Sequence, residues 1–556
     1  MKKVLVLIFI SFSFNVAQSQ EIKDAVQYSQ DNLNGTARFR AMGGAFGALG
    51  GDLSSLNVNP AGSAIFSNNQ LGMSLSSFNT RNNSDYFGTS TSESHNNFDM
   101  NQLGVVFVFK NQNQSSSWKK FSMAINYDNT NNFDNSVFSR GVNPFNSIDD
   151  YFLNYARQNG GVPTQYIDSF YYSHSLDNQG NPILGSDGLP IENYNLLANY
   201  FGTSQQNIAN NLNSYIYQYI GEVDGKDAFA NQQAFLGYGA YVIDPLVRND
   251  PNNKNYISLV PAGGNYYQEN SIVSKGYNGK LSFNAATSFE NKLNIGVNLN
   301  SHFTDYIKST SFYESNKNPL ESNYSVTNLR FDNNLHTYGG GFSFQIGIIA
   351  KITNEVRLGF AFDSPIWYVL NDELSQKLVV VSSKTGANDV TDSVDPNFIT
   401  IFAPYKLQTP SKITGSFAYI FGKKGLISID YALKNYNNTQ FHPKNDLYYR
   451  DLNNYMSSVL NTTGEFRLGA EYKIKEWSLR GGYRFEESPY KDKATIGDLN
   501  SFSGGLGYNF GAFKLDFSYT NTQRDSKQSF FSQGFTDAAQ IKTNNNNVTM
   551  TMTFEL

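Results

Sequence analysis

Charged side chains recur at alternate positions along two neighbouring stretches near the C-terminus. Glu465, Arg467, Glu471 and Lys473 share one parity, as do Arg480, Arg484 and Glu486 in the next stretch; Asp430 and Lys434 stand on a preceding one. In an extended chain, residues two apart project from the same face. Asp430, Glu465, Arg467, Glu471, Arg480 and Arg484 would therefore gather on one side of a sheet, with both signs interleaved. Two kinds of chemistry follow. The carboxylates and guanidiniums can pair with one another as a wall that holds another part of the chain. One of the arginines can instead grip the carboxylate of a bound molecule in bidentate fashion. Both can hold in one protein.

The sequence carries no pattern for covalent or metal chemistry. Its five histidines, His95, His174, His302, His336 and His442, are scattered, and no HExxH, phosphate loop or Gly-x-Ser-x-Gly occurs. There is no cysteine, hence no disulfide, thiol nucleophile or lipoprotein anchor. An acyl-chain hydrolase would need a nucleophile beside a base, and no such pair is nominated. We assign no catalytic residue, metal ligand or cofactor.

The elements that position the charges are strands. Charged residues make up 16% of the 556 and aromatics 15%, a balance that suits an antiparallel β protein with polar connections. The net charge of −5 gives no electrostatic case for nucleic acid. Residues 1–20 read as a secretory signal: Lys2 and Lys3, a short apolar core, then small residues at Ala17 and Ser19. No later apolar run of about 18 residues occurs, so anything spanning a membrane must be a barrel.

Fourteen segments alternate apolar and polar: 70–78, 101–110, 119–128, 277–290, 292–303, 337–351, 356–363, 411–421, 426–434, 464–474, 477–486, 501–510, 512–520 and 547–556. Their connections are short and long in turn, as in an outer-membrane barrel whose long loops all lie outside. Both mature termini are then expected on the periplasmic side. In the last segment Val548, Met550, Met552, Phe554 and Leu556 face lipid, and Thr549, Thr551, Thr553 and Glu555 face the lumen. Phe466, Leu468, Ala470, Tyr472 and Ile474 likewise face out. The lumen charges are the set with which we began.

Ahead of the strands, Thr36–Gln70 is rich in glycine yet punctuated by apolar residues, the composition of a segment packed closely inside something. It carries Arg38, Ala41, Met42, Gly43, Gly44, Ala45 and Phe46, then Asp52, then Asn59, Pro60, Ala61 and Gly62. This pattern resembles the N-terminal hatch of the FadL family, outer-membrane transporters of long-chain fatty acids and aromatic hydrocarbons. A typical member carries two acidic residues where this chain has Gly51-Asp52. The resemblance implies a fourteen-stranded barrel with an internal plug, and a ligand that leaves through a lateral gap in the wall once the hatch shifts. We expect a signal at 1–20, a plug at 21–69 and a barrel at 70–556, with Asn59 and Asp52 bonded to the wall.

A long insertion, 129–276, interrupts the barrel. Ser147 to Asp150 resembles a capping box, and stripes at helical spacing (Tyr194, Leu197, Ala198, Phe201; then Ile208 to Tyr219) suggest a partly helical external cap. Phe152, Tyr155, Leu197, Phe201 and Ile216 are its candidate residues for an apolar ligand groove. The expected function is outer-membrane transport of hydrophobic small molecules through a plugged barrel, with outer-membrane lipid and lipopolysaccharide as surroundings. The alternative is a structural or cargo-carrier subunit of an outer-membrane secretion or assembly complex. In that case the insertion docks other outer-membrane proteins.

Overall fold

The computed structural model describes residues 21–556 except 114, 165–166, 168–215, 220–221, 224–225, 321 and 396–397. Fourteen antiparallel strands form a closed barrel. They are β1 (Gln70–Tyr86), β2 (Thr89–Lys110), β3 (Trp118–Asn132), β4 (Tyr266–Phe289), β5 (Leu293–Ser315), β6 (Ser325–Lys351), β7 (Val356–Asp363), β8 (Lys412–Ile420), β9 (Gly425–Asn435), β10 (Thr462–Ile474), β11 (Trp477–Glu486), β12 (Ile496–Asn509), β13 (Phe513–Ser529) and β14 (Ala538–Glu555). Each pairs with the next, and β14 returns to β1 from Gln70↔Glu555 to Asp85↔Gln540. Closure removes the unpaired edge that lipid could not satisfy.

The alternation resolves as expected. Leu468, Tyr472 and Val548 are exposed on the outer wall, and Glu465, Arg467, Glu471, Thr549 and Thr551 are buried within. Aromatic pairs at the short turns, Trp477 with Tyr508 and Trp118 with Phe289, mark one interface of the apolar band.

Several long connections are not loops but continuations of strands. β1 and β2 run on to a two-residue turn at Phe87-Gly88, where φ is 46° and 77°. Residues 304–336 and 521–546 are likewise mostly β5, β6, β13 and β14.

Apart from local register shifts, as at Ser74/Leu75, Asn278/Gly279 and Ile496/Leu499, the pairing of the described strands is interrupted at two places. The β2–β3 ladder runs only from Lys110↔Lys120 to Gln102↔Asp128. Beyond it the rest of β2 pairs with β1, and the rest of β3 with β4. Side chains bridge this seam: Asn129 and Asn132 donate to Asp99, and Asn97 Nδ2 donates to Asp134 Oδ2 at 2.5 Å. At the second place β7 ends at Asp363. Beyond the Pro365 interruption, strand Trp367–Ser383 takes over the pairing with β6. Hydroxyls fill the break, with Phe344 N donating to Ser364 Oγ (2.9 Å) and Ile366 N to Thr409 Oγ1 (2.9 Å).

Outside the membrane band, helices Asp149–Arg157 and Ala228–Gly239 pack on the extended strands around one apolar core. It includes Tyr151, Phe152, Phe235, Phe331, Phe402 and Phe535. Phe152 is 0% and Tyr155 7% exposed, so neither lines an open groove: the helix spends its apolar stripe on the neighbouring helix and strands. Ile216 opens a short strand, Ile216–Tyr219, parallel to Phe398–Ile401, where a helical stripe was expected. Ile-Tyr-Gln-Tyr suits either state, and the available partner strand decides it. Leu197, Phe201 and the signal segment lie outside the described residues.

The mature N-terminus, expected on the periplasmic side, lies elsewhere. Helix α1 (Ile22–Ser29) is inside the barrel but toward the long connections. Tyr28 packs there on Phe133 and Tyr368, and the helix shares a core with Tyr306, Tyr405 and Tyr436. Amphipathic α1 finds an aromatic lining at that level, and the chain descends from it into the glycine-rich segment. The C-terminus ends at the short-turn side, with Leu556 N bonded to Asn69 O at 3.0 Å.

Candidate functional site

The glycine-rich segment folds as three short pieces joined by turns. Helix α2 (Ala37–Ala41) is capped by Thr36, whose Oγ1 accepts from Phe39 N. Gly43 and Gly44 then turn the chain at φ 60° and 73°. Asp52 caps a 3₁₀ turn at Leu53–Asn57, and Asn59 caps another at Pro60–Ile65, with Pro60 in the first-turn position where no N–H is needed. The polar residues of the motif thus terminate helices inside an enclosed space, where an unbonded N–H would be costly.

Asn59 also reaches the wall. Its Nδ2 donates to Gly47 O (2.7 Å) within the segment and to Ile348 O (3.0 Å) on β6. Asp52, expected to bond the wall, stays within the segment, accepting from Thr36 Oγ1 (2.8 Å) and Ser54 N (2.9 Å). Both bonds are to Oδ1, and the carboxylate serves as the cap of the 3₁₀ turn. Burial pushes its carboxyl above the usual range, against the opposing pull of Arg38 and of these two hydrogen bonds.

Arg38 is an ionic link from the motif to the wall. Its Nε donates to Glu471 Oε2 at 2.8 Å, Arg480 reaches the same oxygen at 2.7 Å, and Arg480 also meets Asp516 at 2.6 Å. Higher up, Arg467 and Arg484 share Glu465 (2.7 and 2.5 Å), and Arg484 continues to Glu486 at 2.7 Å. Asp430 accepts from Gly47 N at 3.0 Å. Asp31, just before the motif, receives Lys434 (3.1 Å) and Lys412 (3.3 Å). Each arginine of the lumen set, Arg467, Arg480 and Arg484, is engaged by carboxylates of the protein itself.

Wall glycines let the segment approach. A β-carbon at Gly482 would stand 2.2 Å from Gly43 N, at Gly469 2.5 Å from Met42 O, and at Gly359 2.2 Å from Gly47 O. At Gly347 it would meet Asn59 Oδ1 at 2.0 Å, and at Gly296 Pro60 O at 2.4 Å. The motif residues Met42, Gly43, Asn59 and Pro60 are thus seated on strand backbone. Phe46 packs with Phe39 at 5.4 Å between ring centroids, and Ala61 and Gly62 are buried in the second 3₁₀ turn. The glycines were not singled out from sequence, yet they carry a signal: they fall on the inward parity of strands that otherwise bear charges and amides there.

Between α1, the glycine-rich segment and the wall lies a cavity of about 120 Å³. Its apolar lining comes from Tyr28, Leu33, Phe39 and Val58, with Ile366 and Tyr368 from the β7 break. Its polar lining includes Asn129 of β3, Asn278 and Lys280 of β4, and Asn300 and His302 of β5. His302 bonds Ser343 Oγ at 2.8 Å. The cavity reaches wall residues of both irregular places, Asp128 and Asn129 beside the seam, and Ser364 and Thr409 at the break.

A closed fourteen-stranded wall with an apolar outer band and a segment bound within it defines an outer-membrane β-barrel transport protein. The profile of the family described as outer membrane protein transport protein (OMPP1/FadL/TodX) matches residues 260–556, a little over half of the chain. The chain belongs to this family. No curated protein sequence matches it. Among solved structures it is similar to a Pseudomonas aeruginosa FadL homologue, at 10% identity and TM-score 0.49, over 95% of this chain and 99% of that one. It is also similar to the P. putida toluene transporter TodX (12%, 0.45, 94% and 99%) and the Ralstonia pickettii toluene transporter TbuX (12%, 0.44, 94% and 99%).

Proposed function

We propose that this protein carries hydrophobic small molecules with one polar end, long-chain or aromatic, across the outer membrane, and that residues 21–69 are the plug they must pass. The cavity is the observation that carries this reading, because it joins an apolar lining to a set of amides between the N-terminal segment and the barrel wall. An amphiphile suits such a space: its polar end finds hydrogen bonds, and each CH₂ withdrawn from water contributes about 0.8 kcal/mol. On this reading Arg38, Asp31 and Asn59 hold the plug in place, and the lumen arginines act on the plug and one another instead of on ligand. The β2–β3 seam, held by side chains in place of a ladder, is the part of the wall best suited to part and release a ligand sideways.

Native purification tests the proposal. A lone barrel that retains small hydrophobic molecules, identified by mass spectrometry of the extract, is the expected outcome. A stoichiometric complex with other outer-membrane proteins and no retained small molecule would contradict it in favour of a carrier or scaffold role.

A further inference from the structure

The polar side of the cavity has a definite hydrogen-bonding sense. Asn129, Asn278 and Asn300 line it, each no more than 3% exposed, and the side-chain carbonyl oxygen of each lacks a hydrogen-bond partner. Two of these amides are oriented by their nitrogens. Asn129 Nδ2 donates to the Asp99 carboxylate, and Asn300 Nδ2 donates to Gln345 Oε1 at 3.5 Å as well as to the Ser343 hydroxyl at 3.1 Å; the carboxylate and the amide oxygen only accept, so neither asparagine can exchange its oxygen and nitrogen without losing one of these bonds. One donor, Gln30 Nε2 of the plug, is also unpartnered at the lining.

The cations of the cavity are, by contrast, already engaged. Lys412 has Asp31 and Asp363 (3.3 and 3.1 Å), Lys434 has Asp31, and Arg467 has Glu465. Lys280 donates to Asn57 Oδ1 at 2.8 Å, with Asp128 as its balancing charge. A carboxylate entering here would bring acceptors to a lining whose open positions are mainly acceptors, and it would have to displace a carboxylate from Lys412, Lys434 or Arg467, or the Asn57 amide from Lys280.

We infer that the cavity selects a ligand whose polar end is a neutral hydrogen-bond donor, a hydroxyl above all, and disfavours the ionised carboxylate of the same chain length. This rests on the transport reading and sharpens it. A hydroxyl donates its proton to an asparagine oxygen and can accept from Gln30 Nε2, which meets both open senses. Burying an unmatched polar group is what makes such discrimination steep.

The test compares radiolabelled 1-dodecanol, dodecane and dodecanoate on the full-length protein in lipid nanodiscs, with empty nanodiscs as background, at about pH 8 where the acid is ionised. The alcohol should bind about tenfold more tightly than either other probe, and Asn278→Leu should narrow the ratio of alcohol to alkane affinity several-fold; an unchanged ratio in a folded variant would overturn the inference. Heat-modifiable migration of the variant reports its folding; if it fails to fold, the three-probe comparison on the unaltered protein decides alone. Equal or tighter binding of dodecanoate overturns this inference while leaving hydrophobic transport standing. Absence of saturable binding by all three probes overturns both.

Discussion

Arg38 and Glu471 are separated by 433 residues in sequence and by 2.8 Å in the fold, the arginine on the plug and the carboxylate on β10. Because Glu471 also receives Arg480, one wall oxygen joins plug to barrel and two neighbouring strands to each other. Removing the carboxylate leaves Arg38 without its ion-pair partner and Arg480 with Asp516 alone. Breaking a buried pair on one side costs about 3–5 kcal/mol. Glu471→Gln should therefore loosen the plug more than Arg38→Met, which leaves the Glu471–Arg480 pair intact. The measurement is the conductance of each variant in planar bilayers, with the ordering Glu471→Gln, Arg38→Met, unaltered protein from most to least open.

The wall glycines predict a contrast between adjacent residues. Gly481 faces open space, whereas a β-carbon at Gly482 would stand 2.2 Å from Gly43 N. Gly482→Ala should displace the plug and raise permeability to small polar solutes, and Gly481→Ala should be silent. Solute influx into cells expressing each variant distinguishes them.

Facing on β10 is tested by charge. Leu468 meets lipid, and an arginine there costs about 2–4 kcal/mol at the membrane midplane. Leu468→Arg should deplete the protein from the outer membrane, while Arg467→Leu, on the lumen side, should still yield inserted barrel. Heat-modifiable gel migration of membrane fractions reports both.

The seam between β2 and β3 offers a reversible lock. The chain has no cysteine, so a pair introduced at Asn97 and Asp134, whose side chains already hydrogen-bond, would be the sole thiols present. Oxidation should tie the seam shut and abolish uptake of hydrophobic probe without unfolding the barrel. Reduction should restore it. Uptake that is indifferent to the crosslink would exclude the seam as the exit.

Much of this architecture was legible wherever the chain meets lipid. There one face of each strand is apolar, and alternation such as that of Val548 to Leu556 has contrast. Above the membrane the contrast vanishes. Asn79 to Tyr86 and their partners bear mostly polar side chains on both faces, so an ordered hairpin reads as a loop. The plug motif was visible because glycines and caps must be placed residue by residue, but its ionic partner on the wall was visible only as one charge among several. Asp52 illustrates the remaining limit. Sequence shows an acid that needs a partner, and only the fold shows that Thr36 and Ser54 supply it. Phe152 and Tyr155 carried a helical stripe that sequence alone could assign equally to a groove or to a core; the strands beside them decide for the core.

The central claim is passage of hydrophobic molecules through the plugged barrel, and its most direct measurement is uptake. Cells lacking their own outer-membrane route for hydrophobic compounds would express the full-length chain or Gly482→Ala, and accumulation of radiolabelled 1-dodecanol and of a small polar solute would be followed in parallel. We expect the unaltered protein to raise accumulation of the alcohol but not of the polar solute, and the variant to admit both. Alcohol accumulation no greater than in cells without the protein, at equal barrel abundance, would contradict the account.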